Sequence, residues 1–421
     1  MNDANDWYER GLANVWQPYA QAKIAPAPLA VASTDGCEII LHDGRRLIDG
    51  ISSWWAACHG HNHPELITAA TKQLQIMPHV MFAGLAHAPA YELATSLARL
   101  TGLQRVFFSD SGSMAVEVAL KIALQYFSNI GQAHKNKFVC LQHGYHGDSF
   151  GAMGVSDPVR GMHKAYLPNI QAHHALPVPY DAASFASFAV ALKAIAGEVA
   201  ALIVEPLVQG AGGMRFYPAE MLAQMAVLCK ELDVLLIIDE IMTGFGRLGT
   251  MFACEQAGIS PDIMCVGKGL TGGVVSLAAT IVGEHIYQAF YDDDISKALM
   301  HGPTFMANPL ACAVANASIS LFASEPRLAQ VNAIENQLRE GLSPLKHNEN
   351  VVDVRVWGAI GVVQMRDDCG FNPFAMRQEL VKHGCWLRPY RDIIYIMPPF
   401  TISELQLNIL IDAVINEVRK V

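Results

Sequence analysis

The sequence of 421 residues contains no uninterrupted apolar run of the roughly 18 residues that a membrane-spanning helix requires. This absence matters because the chain is apolar, with 52% hydrophobic residues and a mean hydropathy of +0.24. We therefore expect no membrane association, and we attribute the apolar excess to a large subunit interface. Residues 1–6 are acidic and polar, which predicts neither a secretory nor a transit signal and favours a cytoplasmic protein.

The sequence also lacks the positive charge of a nucleic-acid-binding protein. Lysine and arginine number 29 against 39 aspartates and glutamates, which gives a formal net charge of −10. A protein that binds DNA or RNA needs a basic surface to neutralise phosphates. Nucleic acid is therefore excluded as an expected partner.

Motifs for disulfide exchange and for zinc are missing as well. No pair of the nine cysteines has C-x-x-C spacing, so we expect reduced thiols that serve mostly as small core residues. The sixteen histidines include no H-E-x-x-H pair. His59, His61 and His63 alternate in a loop, but they lack matching Cys or Asp partners, and we predict no metal site.

What the sequence does contain, from about residue 90, is a regular alternation of strand and helix patterns. The apolar strand candidates cover 104–109, 137–141, 200–205, 234–239, 262–266 and 277–282. The helix candidates cover 89–100, 114–128, 183–197, 218–231, 308–323 and 328–341. This alternation predicts an α/β fold, in which helices wrap a mostly parallel sheet.

The two ends of the chain predict a second, smaller α+β domain. Residues 1–35 suggest an arm draped over a surface, and a hairpin with an Asp43-Gly44 turn follows. Further strand candidates cover 351–355, 359–365, 385–388 and 393–397, before a last helix. We predict three segments: an arm and part of the small domain over 1–60, a large cofactor-binding domain over 61–325, and the remaining small domain over 326–421.

Ligands of open α/β sheets bind at the carboxyl ends of the strands, and Lys268 and Asp239 are two ionisable side chains at such ends. Lys268 lies between two glycines directly after the strand candidate 262–266. Burial disfavours the charged form of such an amine, which can then attack a carbonyl; an exposed loop lysine is the alternative. Asp239 ends the strand candidate 234–239, where it could hold a buried cation or form a structural ion pair.

Two turns of small residues could bind a phosphate. The run SDSGS at 109–113 leads into a helix candidate, and a helix N-terminus offers free N–H groups and a positive dipole end. Ordinary capping by Ser113 is the alternative. The run HGPTF at 301–305 could add a hydroxyl and an N–H to the same phosphate, or it could be only a turn.

Two further side chains could contact a ligand. Tyr145, between Gly144 and His146, could stack on a flat ring, although a tyrosine that closes the core is equally common. Arg388 ends a short strand candidate in the second domain, where it could bind a carboxylate through two hydrogen bonds or simply lie on the surface.

A glycine motif suggests a different cofactor. Gly244, Gly246 and Gly249 match G-x-G-x-x-G, which in dinucleotide-binding proteins opens a helix directly after a strand. Here no long helix pattern follows before Pro261. A glycine-bent loop that positions Arg247 is the better interpretation, with a nicotinamide-dependent dehydrogenase as the alternative.

Taken together, these pieces resemble the signature of the class III aminotransferases, which are pyridoxal-phosphate enzymes of fold type I. The signature segments are DEIMTGFGR at 239–247 and GKG at 267–269. Other segments resemble the branch of this family that moves the amino group of S-adenosylmethionine to 8-amino-7-oxononanoate in biotin biosynthesis. They include SSWW at 52–55, GYHGD at 144–148 and MHGPTFM at 300–306. Met242, Leu248 and Tyr390 depart from the expected residues.

The resemblance implies how a pyridoxal 5′-phosphate cofactor would be held. Lys268 would bond it and serve as the catalytic base, Asp239 would keep its ring nitrogen protonated, and Tyr145 would stack on its ring. The phosphate would be bound by Gly112 and Ser113. The family also implies a homodimer with shared active sites, in which the second subunit supplies Gly302, Pro303 and Thr304.

The same resemblance implies the substrate contacts of a ping-pong reaction. Arg388 would bind the substrate carboxylate, Trp54 would line an apolar channel, and Tyr19 would act near the substrate amine. Tyr145 and Gly302 would also contact substrate. Arg247 and Asp148 would brace the site, and Glu205 would gate an arginine.

Besides the dehydrogenase, two alternatives remain at the level of the sequence. One is another class III enzyme that acts on an ω-amino acid, ornithine or a diamine, and lysine stays open as an amino donor. The other is a non-catalytic binding protein with the same fold. Intact Lys268 and Asp239 argue against the second alternative, because a degenerate enzyme would be free to lose them.

Overall fold

The computed structural model describes residues 6–421. Residues 1–5, which form most of the acidic opening segment, lie outside the described residues, so the targeting expectation drawn from them stays a prediction. In chain order the strands are β1 (Val31–Asp35), β2 (Glu38–Leu41), β3 (Arg46–Asp49), β4 (Arg105–Ser109), β5 (Lys137–Leu141), β6 (His174–Leu176), β7 (Val199–Val204), β8 (Val208–Gln209), β9 (Arg215–Phe216), β10 (Leu235–Asp239), β11 (Ile263–Val266), β12 (Ala278–Val282), β13 (Val351–Trp357), β14 (Ile360–Met365), β15 (Cys385–Trp386) and β16 (Ile393–Ile396).

The α-helices alternate with these strands. They are α1 (Asp6–Leu12), α2 (Pro64–Ile76), α3 (Ala88–Thr101), α4 (Gly112–Asn129), α5 (Phe150–Gly154), α6 (Ala182–Ile195), α7 (Ala219–Glu231), α8 (Glu284–Gln288), α9 (Pro309–Ser324), α10 (Arg327–Leu342), α11 (Pro373–Lys382) and α12 (Glu404–Val418). Within residues 6–421, no helix combines the length and the apolar content that crossing a membrane would require.

Seven strands form the central sheet, in the order β4-β12-β11-β10-β7-β5-β6. All are parallel except β12, which runs antiparallel to β11 and β4. This sheet and its helices confirm the predicted α/β fold. The six strands predicted for this part of the chain agree with the structure to within one residue at each end, and of the seven strands in this sheet only the short edge strand β6 was not predicted.

Side chains of the central strands enter two separate cores, one on each face of the sheet. Leu236 and Ile238 of β10 belong to one core, whereas Leu235 and Ile237 belong to the other. Because both faces are covered, every residue of β7, β10 and β11 is buried. Full burial of one such side chain contributes about 1.5–3 kcal/mol, which explains why these strands are continuous apolar runs.

Cysteines contribute to these cores. All nine are free thiols, and all except the partly exposed Cys369 are buried. This confirms the prediction that they serve mostly as small core residues.

The two ends of the chain meet in smaller sheets. Strand β3 pairs in parallel with β15, so the four-stranded sheet β1-β2-β3-β15 contains both chain ends. The prediction that residues 1–35 form only an arm was wrong, because they contain α1 and because β1 pairs antiparallel with β2. Strand β1 is polar and mostly exposed, so it lacks the apolar pattern of a buried strand. The boundaries of the three predicted segments stay a prediction.

A tight hairpin joins the small domain to the loop that carries Arg247. Gly358 lies between β13 and β14 with φ +53°, and the neighbouring Ala359 N–H donates to the Arg247 carbonyl over 3.0 Å. A Cβ at Gly358 would lie 2.4 Å from that carbonyl oxygen and 2.6 Å from Leu248 Cα. The close approach of two backbones therefore requires glycine here.

Replacing this glycine should loosen the junction. We expect Gly358→Ala to lower the free energy of unfolding by about 1–3 kcal/mol, because it adds a clash with backbone to an unfavourable φ. Gly197→Ala is the matched control, since a Cβ there meets open space. Chemical denaturation followed by circular dichroism measures both variants, and equal stability of the two would contradict this account.

Candidate active site

The centre of the candidate site is Lys268, which follows β11 at the start of a short 3₁₀ helix, Lys268–Thr271. Its backbone is left-handed, with φ +44°, and its Nζ lies 4.4 Å from the centre of the Trp55 ring. Burial lowers the pKa of this amine to about 8, although the charges of Asp239 and Glu205 act in the opposite direction. Within residues 6–421 the amine makes no hydrogen bond or ion pair, so it is available to a ligand.

Asp239 ends the neighbouring strand β10, and parallel pairing brings the two strand ends together. Its carboxylate is buried. One oxygen accepts from the Ile241 N–H over 3.1 Å, and the other lies 2.7 Å from His146 Nδ1. A buried acid that is oriented by an imidazole and a backbone amide can hold a cationic group of a ligand. His146 was not predicted as part of the site, although it lies inside the GYHGD run.

Glu205 follows β7 on the other side of β10 and is also buried. Its carboxylate accepts hydrogen bonds from the Tyr145 N–H over 3.0 Å and from the Gly210 N–H over 2.8 Å. Burial raises its pKa to about 7, opposed by His146 and reinforced by Asp239. In the structure Glu205 therefore fixes the backbone of the Tyr145 loop, and within the described residues it forms no hydrogen bond or ion pair with an arginine.

Tyr145, Tyr19 and Asp148 form a hydrogen-bonded cluster. The Tyr145 hydroxyl donates to Asp148 over 3.0 Å and lies 3.4 Å from the Tyr19 hydroxyl, which also donates to Asp148. Burial would raise the pKa of Asp148, but bonds from Tyr19, His163 and Tyr145 hold it below its usual value. Burial, reinforced by the bond to Asp148, raises the pKa of both tyrosines. The predicted residues Tyr19 and Tyr145 are thus brought together.

A left-handed turn over Ser52–Trp55 places two tryptophans on two different cations. All four residues have positive φ, between +44° and +75°, which costs about 1–2 kcal/mol per residue. Trp55 is buried under the Lys268 amine. Trp54 is partly exposed, and the Arg388 guanidinium lies 4.6 Å from the centre of its ring. Tyr19 packs edge-on against the same Trp54 ring.

Buried polar groups hold this strained turn. Asp49 accepts from the Ser53 hydroxyl over 2.7 Å and lies 2.9 Å from His61 Nε2. Arg247, which is buried, donates to the Pro398 carbonyl over 2.8 Å and to the Ser52 hydroxyl over 3.3 Å. The predicted bracing role of Arg247 agrees with these contacts, and the loop 244–249 opens no helix. Asp49 and His61 were not predicted as part of the site.

A candidate phosphate cradle lies at the N-terminus of α4. The N-cap residue is Ser111, and its side chain does not cap the helix, which leaves the first N–H groups available. The Ser113 hydroxyl is 2.6 Å from that of Ser149 and accepts from the Ser149 N–H, so Ser113 is not an ordinary cap. Gly112 packs closely on Ile241, since a Cβ added at Gly112 would lie 2.9 Å from the Ile241 side chain. The Ile241 N–H donates to Asp239, so the cradle lies next to this acid.

Gly302, Pro303 and Thr304 are not joined to this cluster within one chain. Gly302 and Thr304 are exposed, and no hydrogen bond or ring contact within the described residues links the three to Lys268, Asp239 or Ser113. Nearby apolar side chains are exposed as well: Met300 is 83% and Phe305 is 56% accessible.

Comparisons with known proteins agree with this geometry. The sequence profile of the aminotransferase class-III family matches residues 19–418. An adenosylmethionine-8-amino-7-oxononanoate aminotransferase from Corynebacterium glutamicum is 46% identical, with 93% of each chain covered. The structure of an enzyme with the same name from Methanocaldococcus jannaschii superimposes with a TM-score of 0.95 at 32% identity, covering 99% of each chain. A PLP-bound amine transaminase from an uncultivated Pseudomonas species gives 0.89 at 31%, covering 96% of this chain and 98% of the other.

The electrostatic environment of Lys268 predicts its reactivity. In protein freed of any ligand, we expect acetylation of Lys268 by acetic anhydride to rise with pH to a midpoint near 8, whereas an ordinary lysine titrates near pH 10.4. Asp239→Asn should move the midpoint lower, because the carboxylate stabilises the ammonium form. Mass spectrometry of the modified peptide measures both, and a wild-type midpoint near 10 would contradict the burial argument.

Proposed function

The chain belongs to the class-III aminotransferase family, and we propose that it transfers the amino group of S-adenosylmethionine to 8-amino-7-oxononanoate, giving 7,8-diaminononanoate for biotin biosynthesis in the cytoplasm. The observation that carries this proposal is the unpartnered, desolvated amine of Lys268 beside the acid of β10. The names of the relatives support the choice of substrates.

The cofactor of this family is pyridoxal 5′-phosphate, and the residues present fit it. The uncapped N-terminus of α4, with Gly112 and Ser113, suits its phosphate. The Lys268 amine suits its aldehyde, and the buried carboxylate of Asp239 suits its ring nitrogen. When bound, the cofactor supplies an electron-withdrawing ring that stabilises the carbanion left after the donor loses its α-proton.

The side chains around this position would hold the cofactor and move the proton. Lys268 would hold the cofactor and, once released as a free amine, would accept the α-proton of the donor and return it. Its pKa of about 8 makes it an effective base near neutral pH. Asp239, oriented by His146, would hold a proton on the ring nitrogen by its negative charge. Tyr145 would cover the ring face.

The substrate side of the site would be formed by Trp54, Arg388 and Tyr19. The Arg388 guanidinium lies over the Trp54 ring and lacks a protein acid within the described residues, so it can bind a carboxylate through two hydrogen bonds. The Trp54 ring would line the path of the apolar chain. The Tyr19 hydroxyl, held by Asp148, would lie near the reacting amine.

A donor assay tests the function. We expect purified protein with pyridoxal phosphate to aminate 8-amino-7-oxononanoate with S-adenosylmethionine, and not with lysine or alanine. Lys268→Ala should lower kcat by about 10²–10⁴-fold, as the loss of a general base does, while Lys230→Ala on the exposed side of α7 should not. Preference for lysine or a diamine would favour the alternative class III function, and full activity of Lys268→Ala would refute the mechanism.

The carboxylate role of Arg388 has its own test. A hydrogen-bonded charge pair contributes about 1.5–3 kcal/mol, so Arg388→Gln should raise KM for 8-amino-7-oxononanoate by at least tenfold with a smaller effect on kcat. Steady-state kinetics of the wild type and of Arg388→Gln, each with the acceptor and with its methyl ester, show whether the effect depends on the carboxylate. If the wild type and the variant both treat acid and ester alike, Arg388 does not bind the carboxylate.

We further propose a homodimer in which Gly302, Pro303 and Thr304 complete the phosphate site of the second copy. Their exposure, beside the exposed Met300 and Phe305, supports this arrangement.

Subunit mixing tests the shared site. Lys268→Ala and Thr304→Glu should each be inactive, but unfolding and refolding them together should restore activity, because one site of the mixed dimer then has both native residues. An inactive mixture, or an active monomer in sedimentation, would contradict the shared site.

A further inference from the structure

The alternating histidines His59, His61 and His63 divide between two sets of contacts. His61 contacts Asp49 beside the left-handed turn. The other two contact the guanidinium of Arg327, the first residue of α10. Its Nε donates to His59 Nδ1 over 3.0 Å, and its Nη2 lies 3.3 Å from His63 Nε2. Arg327 and His59 are both buried, so they form a polar network inside the protein.

This network reaches the 3₁₀ helix of Lys268 through Ser318 of α9. His59 Nε2 lies 3.0 Å from the Ser318 hydroxyl, and the same hydroxyl donates to the Gly269 carbonyl over 3.1 Å. Ser318 is fully buried, and Gly269 directly follows Lys268. A chain of hydrogen bonds therefore runs from Arg327 to the backbone that carries the amine.

Ser318 differs in its bonding from the other serines of α9. The hydroxyls of Ser320 and Ser324 donate to the carbonyl four residues earlier in their own helix, over 2.9 and 3.1 Å. This is the usual bond of a serine inside a helix. Because Ser318 turns to a different element, its neighbours must direct its hydroxyl toward Gly269.

The first member of the chain fixes the direction of every bond in it. A guanidinium can only donate, so His59 Nδ1 accepts and the ring proton lies on Nε2. Nε2–H then donates to Ser318, whose own proton is left for the Gly269 carbonyl. Burial, with the charges of Arg327 and His63, lowers the pKa of His59 to about 3. The ring therefore stays neutral and keeps this tautomer near neutral pH.

The segment at the end of this chain has a strained backbone. Lys268 is left-handed, with φ +44°, a conformation that is disfavoured for a residue with a Cβ and persists only where the surroundings hold it. The 3₁₀ helix ends at Gly272, where an added Cβ would lie 3.1 Å from the His59 ring. His59 thus packs against the end of this helix directly and holds its start through Ser318.

We propose that Ser318 and His59 are positioning residues for Lys268, and that the hydrogen-bond chain from Arg327 holds the left-handed backbone which directs the amine into the site. Both act through the backbone of Gly269 and not by touching cofactor or substrate. The inference rests on the proposed role of Lys268 and adds the groups that hold its amine. Without the Ser318 hydroxyl, the backbone can relax and water can solvate the ammonium form.

Acetylation of Lys268 in ligand-free protein tests this without catalysis. We expect Ser318→Ala to raise the midpoint of acetylation by about half a pH unit or more, toward the value near 10.4 of an ordinary lysine. With cofactor and substrates, kcat should fall about tenfold or more while KM for the amino donor changes less than about twofold. Ser320→Ala is the matched control and should change neither, because its exposed hydroxyl bonds within α9.

Two replacements of His59 separate the hydrogen-bond chain from packing. In His59→Gln the amide nitrogen can take the place of Nε2 and donate to Ser318. In His59→Asn the amide oxygen can accept from Arg327, but the shorter side chain does not reach Ser318, whose hydroxyl is then free to bond within α9. We expect the Lys268 midpoint to stay near the wild-type value in His59→Gln and to rise in His59→Asn as in Ser318→Ala.

Two results would overturn the proposal. One is an equal Lys268 midpoint in Ser318→Ala and Ser320→Ala. The other is an equal shift in His59→Gln and His59→Asn, which would reduce His59 to a packing role. Circular dichroism confirms that each variant is folded. Because acetylation is measured without substrate, the predicted shifts together with a failed donor assay would refute the proposed substrates and leave the positioning role intact.

Discussion

The amine of Lys268 is buried where its charged form is poorly solvated. The two nearby acids do not compensate fully, because both already accept hydrogen bonds from other groups. Asp239 is held by His146 and a backbone amide, and Glu205 is held by two backbone amides. If either acid paired directly with the amine, the ammonium form would be stabilised and the lysine would lose its nucleophilic character. The strands and loops that carry these groups keep the Lys268 amine apart from the two carboxylates.

The parallel sheet and the positions of Lys268 and Asp239 could be predicted because buried strands are unbroken apolar runs and because ligands collect at their carboxyl ends. Strand β1 escaped prediction because its exposed edge needs no apolar pattern. The left-handed turn over Ser52–Trp55 could not be predicted. None of its four residues is glycine, the residue that routinely adopts this backbone conformation. His146 was missed because its partner Asp239 lies far away in the sequence. Asp49 was missed because its contacts with Ser53 and His61 depend on the left-handed turn that was not predicted. The position of Gly302, Pro303 and Thr304 relative to a site stays a prediction, because the proposed arrangement involves a second copy of the chain.

Trp54 and Trp55 are adjacent in the sequence but contact the two cations that matter most for the proposed reaction. Trp55 lies under the amine of Lys268, and Trp54 lies under the guanidinium of Arg388. A regular strand would send the two rings to opposite faces, and a right-handed helix would separate them by about 100°. The strained turn instead fixes both rings through one set of buried hydrogen bonds. The part of the site proposed to bond the cofactor and the part proposed to select the substrate are therefore mechanically linked.

The pairing of β3 with β15 has a consequence for how the chain is made. Strand β3 is synthesised well before its partner β15, because all the strands of the central sheet lie between them in the chain. The central sheet can assemble while synthesis continues, but the sheet that carries the Asp49 end of the tryptophan turn cannot be completed until β15 emerges. A nascent chain therefore cannot complete the sheet next to the tryptophan turn until β15 has been added, and a product truncated before β15 cannot complete it at all.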